Sequence, residues 1–319
     1  MDWMDKLLYP LQWVVAWILA IFHEIFTAIG LPAANGWTWV LSIAGLTLVI
    51  RAVLIPLFVY QIKSQRKMQL LQPEIQRLQA KYKGKKDQYS RQAMAEEQMN
   101  LFRDNKTSPW ASCLPLLVQM PIFFSLFRVI HNMPKVADGS VGAIGGFTQD
   151  LAIQAEQSSV FGISLSAVFT DPGISVKLLT GILIVIMAGT MFITQKQMMA
   201  KNMSESAMAN PMMQSQKMLL YVMPLVFGIG GIYFPLGVLF YWLVSNTWTM
   251  CQQHVVIRNM PAPGSKAEKE MLERKAHKGK PVQKSEVKGG TATEVEQTPN
   301  QSRQRQQPVS KNRKKNKKR

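Results

Sequence analysis

The chain has 319 residues, 37 Lys+Arg against 19 Asp+Glu for a formal charge of +18, and 47% hydrophobic residues. Apolar and basic residues are segregated along it, which excludes one ordinary soluble domain and reads as a polytopic membrane protein with charged loops. Two cysteines, Cys113 and Cys251, both in apolar stretches, exclude a disulfide framework and zinc-type spacing.

Residues 1–36 open with an apolar stretch, Leu7 to Leu31, interrupted by Pro10, Gln12, His23 and Glu24. Its start carries two acids and one base, which does not suit a signal peptide. The stretch either spans as an extra helix or lies in the outer interface, and the reading favours the interface. A spanning helix needs about 20 apolar residues. The first core span is expected over 37–60, interrupted only by Arg51. After it, MQLLQPEIQRLQAKY and QYSRQAMAEEQMNLF flank a break at KGKKD. Met68, Leu71, Ile75 and Leu78 recur every three or four residues, so 62–105 is expected to be an antiparallel helical hairpin.

The second span is expected over 110–130, followed by a loop, 131–177, and a third span over 178–195. Spans over 218–234 and 236–257 form a tight pair around Pro235 and Gly237. From 259 to 319 Pro, Gly, Ser, Gln, Lys and Glu dominate, which predicts a disordered tail. The tail ends in KNRKKNKKR, a run that attracts anionic lipid or phosphate backbones.

Lys and Arg set the orientation. Residues 61–108 hold 11, 196–217 hold 3 and the segment from Arg258 holds 18, whereas 1–36 and 131–177 together hold 3. The positive-inside rule therefore puts the hairpin and the C-terminal tail in the cytoplasm.

Arg51 sits nine residues before Tyr60, about 13 Å from the cytoplasmic end of its span, too deep to snorkel easily. Burying it costs at least about 2.5–3.5 kcal/mol on insertion scales unless water or partners are present. Thr47 shares its helix face. Gln119, Ser245 and Asn246 lie at similar depth on other spans, so these five residues are expected to line a wet cavity. Polar groups that merely join helices are the competing reading. No span interior holds Asp or Glu, as ion-coupled transport usually requires, and no nucleotide, protease or hydrolase motif occurs. No enzymatic chemistry, cofactor or metal is expected.

TLVIRAVLIPL from Thr47, LQPEIQRLQAKY from Leu71, SCLPLLVQMPIFFSLFRVI from Ser112 and YFPLGVLFYWLVSNTWTMCQQHVV from Tyr233 resemble the YidC-type membrane protein insertases of the Oxa/YidC/Alb family. The short N-terminus and basic tail look most like the actinobacterial branch. The resemblance implies an all-α polytopic protein with a five-helix core, a cytoplasmic hairpin and a hydrophilic groove open to the cytoplasm. It implies a non-enzymatic insertase and chaperone of the plasma membrane, acting alone or with the Sec translocon. Arg51, Thr47 and Gln119 correspond to the family's groove residues, Tyr241 and Trp242 to its last-helix aromatic pair, and Met120 and Phe123 to its apolar slide. Implied partners are nascent membrane proteins, the Sec translocon, the ribosome through the basic tail, the signal recognition machinery and the lipid bilayer. A small-solute transporter using Arg51 as an anion site, or a structural assembly factor, are the alternatives.

Overall fold

The computed structural model describes residues 3–85, 87–107, 114–202 and 211–278. Among them the regular elements are helices, apart from one two-stranded hairpin in a connecting loop. Helix α1 (Trp3–Ala28) leads into α2 (Gly36–Val53), whose first turn is capped by Asn35, its side chain accepting from the Trp37 N–H at 2.8 Å.

The expected single span over 37–60 is broken at Leu54, and the chain continues as α3 (Ile55–Leu70). Pro56 explains the break: it donates no hydrogen bond, and its ring crowds the carbonyl of Ala52. The ladder still runs through, with Leu54 N–H on the Ile50 carbonyl and Phe58 N–H on that of Leu54. Pro73 produces the next step, from α3 into α4 (Gln72–Lys81) at Leu71.

Helix α4 pairs with α5 (Gln88–Asp104) through a turn at Gly84, whose φ of +88° suits glycine. The antiparallel pair expected over 62–105 thus begins only at Gln72, because 62–70 continue α3. Leu71, Ile75 and Phe102 form its small core, flanked by Met68 and Leu101, and Lys81 meets Glu97 across the surface at 2.6 Å. Ile75 is 2% exposed in a core of three buried side chains. Ile75→Ala should therefore cost about 2–5 kcal/mol locally. Hydrogen exchange should show faster exchange confined to α4 and α5.

The bundle consists of α2, α6 (Leu114–His131), α9 (Ile174–Asn202) and α11 (Leu236–Asn259), with α1 packed on α2 and α6 and α10 (Pro211–Gly230) packed on α9. Trp39, Ile43, Leu46, Leu126, Ile130, Leu239 and Tyr241 fill the centre. A 3-10 turn, Gly231–Tyr233, joins α10 to α11 as the tight connection expected there. Cys113 and residues 203–210 lie outside the described residues.

The 132–173 connection holds more structure than its sequence suggested. It contains α7 (Met133–Ala137), α8 (Gln149–Gln157) and a hairpin of β1 (Ser159–Val160) with β2 (Ile163–Ser164). Leu236 and Gly237 N–H groups donate to the carbonyls of Ala167 and Leu165, which ties the loop to the start of α11. Within it the Ser166 hydroxyl donates to one Glu156 carboxylate oxygen at 3.3 Å, and burial holds this carboxyl above its ordinary value of 4.5. The folded state thus binds the proton more tightly, so this contribution is full below 4.5 and is lost as pH rises through the folded pKa. Thermal stability should gain on mild acidification, and Glu156→Gln should flatten that dependence.

By length and composition α1, α2 and most of α9 could cross a membrane, and Leu117–His131 and Leu220–Tyr233 are shorter apolar helices. Yet α1 follows the 132–173 loop: Trp13 and Trp17 lie against Gly145 and Gly146, and His23 stacks on Trp39 at 4.0 Å. Trp13 and His23 are about 15 Å apart along the helix. Trp39 itself meets Phe147 edge-on at 5.9 Å, so the loop accompanies this stretch of α1 near the end where α2 begins.

The tail reading needs a correction. Residues Lys266–His277 form α12, which packs on α9 and α11. Ser265 accepts from the Glu268 N–H, and the Glu268 carboxylate accepts from the Gly264 N–H at 2.7 Å. This reciprocal cap starts a helix in a segment whose composition pointed to disorder. The rest of the tail, 279–319, lies outside the described residues.

Candidate functional site

Arg51, on the last turn of α2, is 9% exposed, and its guanidinium donates to the Ser245 hydroxyl on α11. Its Cζ lies 5.6 Å from the centre of the Phe58 ring on α3, a cation–π contact across the α2–α3 junction. Four residues before Ser245, on the same face of α11, the Tyr241 hydroxyl accepts from the Gln119 side-chain amide. Two long-range polar pairs therefore pin α2 and α6 to one stripe of α11.

Below Arg51 that stripe continues through Thr249 and Gln253 into a cavity of about 240 Å³ between α3 and α11. Gln61, Gln65 and Gln69, one helical turn apart on α3, face it, with Gln252, Arg51 and Arg66. Phe58 and Ile62 of α3, Met198 of α9, Val256 and Ile257 of α11, and Met260 and Ala262 beyond it supply the apolar part of the wall. Among the described residues the lining includes two arginines and no carboxylate. The side-chain oxygens of Gln69, Gln253 and Gln119 are buried without a protein partner among them. Such oxygens call for water or a guest's donors, since an unmade buried hydrogen bond costs about 1–3 kcal/mol.

The expected site residues do not all converge. Arg51 lines the cavity and Ser245 holds it. Gln119 and Tyr241 form the layer above. Thr47, 1% exposed, is spent on its own helix, donating to the Ile43 carbonyl at 2.7 Å. Asn246 turns toward α9, its amide 3.4 Å from the Met187 carbonyl. Neither lines the cavity: Thr47 bonds back into α2, and Asn246 follows Ser245 around α11 by 100°, onto another face.

Trp242 stacks on Phe123 at 5.0 Å and 7°, and Phe234 meets both rings edge-on. Phe123 is 7% exposed, so it belongs to an aromatic cluster between α6 and α11. Met120 and Leu117, 37% and 60% exposed, form the apolar surface beside it.

Sequence reading missed the glutamines. Their spacing at 61, 65 and 69 is a legible signal, but a first span ending at Tyr60 places Gln65 and Gln69 in the cytoplasmic hairpin expected over 62–105. The Gln119–Tyr241 pair gives a direct test of how the layer is held. Tyr241→Phe leaves the Gln119 amide buried without its acceptor and should cost about 1–3 kcal/mol. Adding Gln119→Leu should recover most of that loss, as a double-mutant cycle in thermal unfolding would show.

Residues 31–263 match the family described as 60Kd inner membrane protein. A protein of Streptomyces avermitilis named membrane protein insertase YidC is 44% identical over 270 residues, covering 82% of this chain and 60% of the relative. Proteins of the same name from Bifidobacterium longum and Tropheryma whipplei strain Twist are 39% and 38% identical. Those two matches cover 97% and 98% of this chain and 95% and 97% of the relatives. A solved structure, described as an active YidC insertase with its first transmembrane domain resolved, aligns with a TM-score of 0.46 at 23% identity, covering 80% of this chain and 47% of that one. With nearly three quarters of its length matched, the chain belongs to the 60Kd inner membrane protein family, alongside the YidC insertases.

Proposed function

We propose that this protein inserts newly made membrane proteins into the plasma membrane and helps them fold, using the cavity below Arg51 as a polar way station. The carrying observation is the buried guanidinium on Ser245, at the head of a glutamine-lined cavity with no carboxylate among its described lining. A nascent chain's short polar or acidic flank leaves water for this cavity. The glutamines replace its hydrogen bonds and Arg51 offsets its charge. The neighbouring apolar segment then meets Leu117 and Met120 and passes into lipid, where burial of about 0.8 kcal/mol per CH₂ drives the step. The membrane potential adds about 2.3 kcal/mol per acidic charge per 100 mV. No nucleotide hydrolysis is required.

In this reading the core spans are α2 with the start of α3, α6, α9, α10 and α11. Hairpin α4–α5 and the C-terminal tail are cytoplasmic, and the 132–173 loop faces outward, as the Lys and Arg distribution requires. Helix α1 rests in the outer interface, which its contacts along the loop support. The hairpin receives nascent chains, the basic tail touches ribosomal RNA, and the signal recognition machinery and the Sec translocon hand over longer substrates.

The test is reconstitution into vesicles with synthesis of a single-span substrate. Protease-protected flank inside vesicles that carry the protein, and none in empty vesicles, is the expected outcome. Equal protection in both would defeat the proposal, and saturable uptake of a small anion without a nascent chain would favour solute transport.

A further inference from the structure

Hairpin β1–β2 turns at Phe161 and Gly162, with φ of +54° and +78°. This is a two-residue connection of the kind that favours Asn-Gly, because both central residues occupy the left-handed region. A bulky aromatic at the first position is strained there, and it does not repay the strain by burial: Phe161 is 73% exposed. The stem, in contrast, is fixed. Val160 and Ile163 are buried in the bundle core, and β1 runs so close to Gly36 that a Cβ there would sit 2.3 Å from the Ser159 carbonyl oxygen.

The tip therefore has a defined direction. Phe161 lies edge-on to Trp37 at 5.6 Å, at the very start of α2, and Trp37 is itself 44% exposed. Ile174 at the start of α9 and Tyr233 just before α11 are 71% and 70% exposed. Large apolar and aromatic side chains thus stand at the starts of three bundle helices. An indole and a phenol at helix ends, with a phenyl ring at the hairpin tip, are the composition of a membrane–water interface, where such rings sit among lipid headgroups.

We infer that the β1–β2 hairpin is a lipid anchor: Phe161 enters the headgroup region of the bilayer beside Trp37 and holds the loop against the membrane surface. The membrane-spanning part of this inference rests on the function proposed above, but the anchor itself does not require insertase activity. Contact with lipid explains why an exposed phenylalanine occupies a turn position that favours Asn.

The experiment uses the full chain with Cys113→Ser and Cys251→Ser and a nitroxide placed at Phe161→Cys, in vesicles of phosphatidylethanolamine and phosphatidylglycerol. Ser140→Cys, on an exposed turn of the same loop, serves as the aqueous reference, and Val185→Cys, exposed near the middle of α9, as the lipid reference. At 161 the ratio of oxygen to nickel-chelate collisions should lie well above that at 140 and approach that at 185. A ratio at 161 equal to that at 140 overturns the anchor, as does immobilisation that persists in detergent and tracks protein concentration, which would mark contact with a second copy. Phe161→Asn suits the turn and keeps the fold. Expected are an unchanged or higher melting temperature in detergent and several-fold faster exchange of loop amides in vesicles. Unchanged exchange in vesicles would overturn the anchoring role. Insertion is assayed separately, so loss of the anchor and loss of insertase activity are distinguishable.

Discussion

Arg51→Glu should abolish insertion of substrates with acidic flanks while leaving the protein folded. The guanidinium lines a cavity where a guest carboxylate can approach to about 6 Å, and at an effective dielectric near 20 that attraction is worth roughly 2–3 kcal/mol. Losing it, as in Arg51→Met, should slow insertion of acidic-flank substrates by roughly 30–100-fold, at about 1.4 kcal/mol per factor of ten. Reversing the charge doubles the effect, to more than about 1,000-fold, below detection in a protease-protection assay. Neutral flanks should be affected far less. Stability should move the other way. Arg51→Met loses the Ser245 hydrogen bond but also removes a buried charge, and apolar replacement of such groups is often neutral or stabilising. A melting temperature in detergent that is unchanged or higher, beside a collapse in insertion, would separate function from folding.

Gly36→Val, at the first residue of α2, should detach the β1–β2 hairpin of the loop from the bundle. The added Cβ would meet the Ser159 backbone at 2.3–2.4 Å and the Val160 side chain at 2.7 Å. Backbone cannot rotate away, so β1 must leave α2, taking Val160 out of the core. Overpacking of this kind costs about 1–3 kcal/mol, and the loss of Val160 burial adds to it. Gly142→Ala is the control, since its Cβ would find open space. Thermal unfolding should drop for the first and hold for the second, and exchange in 159–164 should rise only for the first.

Much of this architecture is legible in the residues, for definite reasons. Long apolar runs declare the bundle helices, and the Met68–Leu71–Ile75 spacing declares the hairpin whose core contains Leu71 and Ile75. Arg51 stands out because a charge in LTLVIRAVLIPL demands an explanation. Its partner Ser245, 194 residues away, matched only in estimated depth. That estimate could not separate residues aimed at the cavity from those aimed elsewhere. Ser245 and Asn246 are neighbours in sequence, yet the 100° step of a helix sends one to Arg51 and the other to α9. Thr47 shares the Arg51 face, but its short hydroxyl is satisfied by its own helix.

The kink at Pro56 was visible as a proline and its consequence was not. Past it, α3 shares a cavity with the lower half of α11, and Gln61, Gln65 and Gln69 stand in its wall. The 132–173 loop hid its order because two-residue strands and five- to nine-residue helices carry too little periodicity to read. The cap of α12 was readable as Ser265 and Glu268, but composition masked it.

The most direct measurement is photocrosslinking from Gln65, Gln253, Met120 and Val185 during synthesis of a single-span substrate with an acidic flank. The account predicts crosslinks from 65 and 253 to the polar flank, from 120 to the apolar segment, and background levels from 185. Crosslinks at 185 as strong as those at 65 and 253, or none from the cavity wall in folded protein, would contradict it.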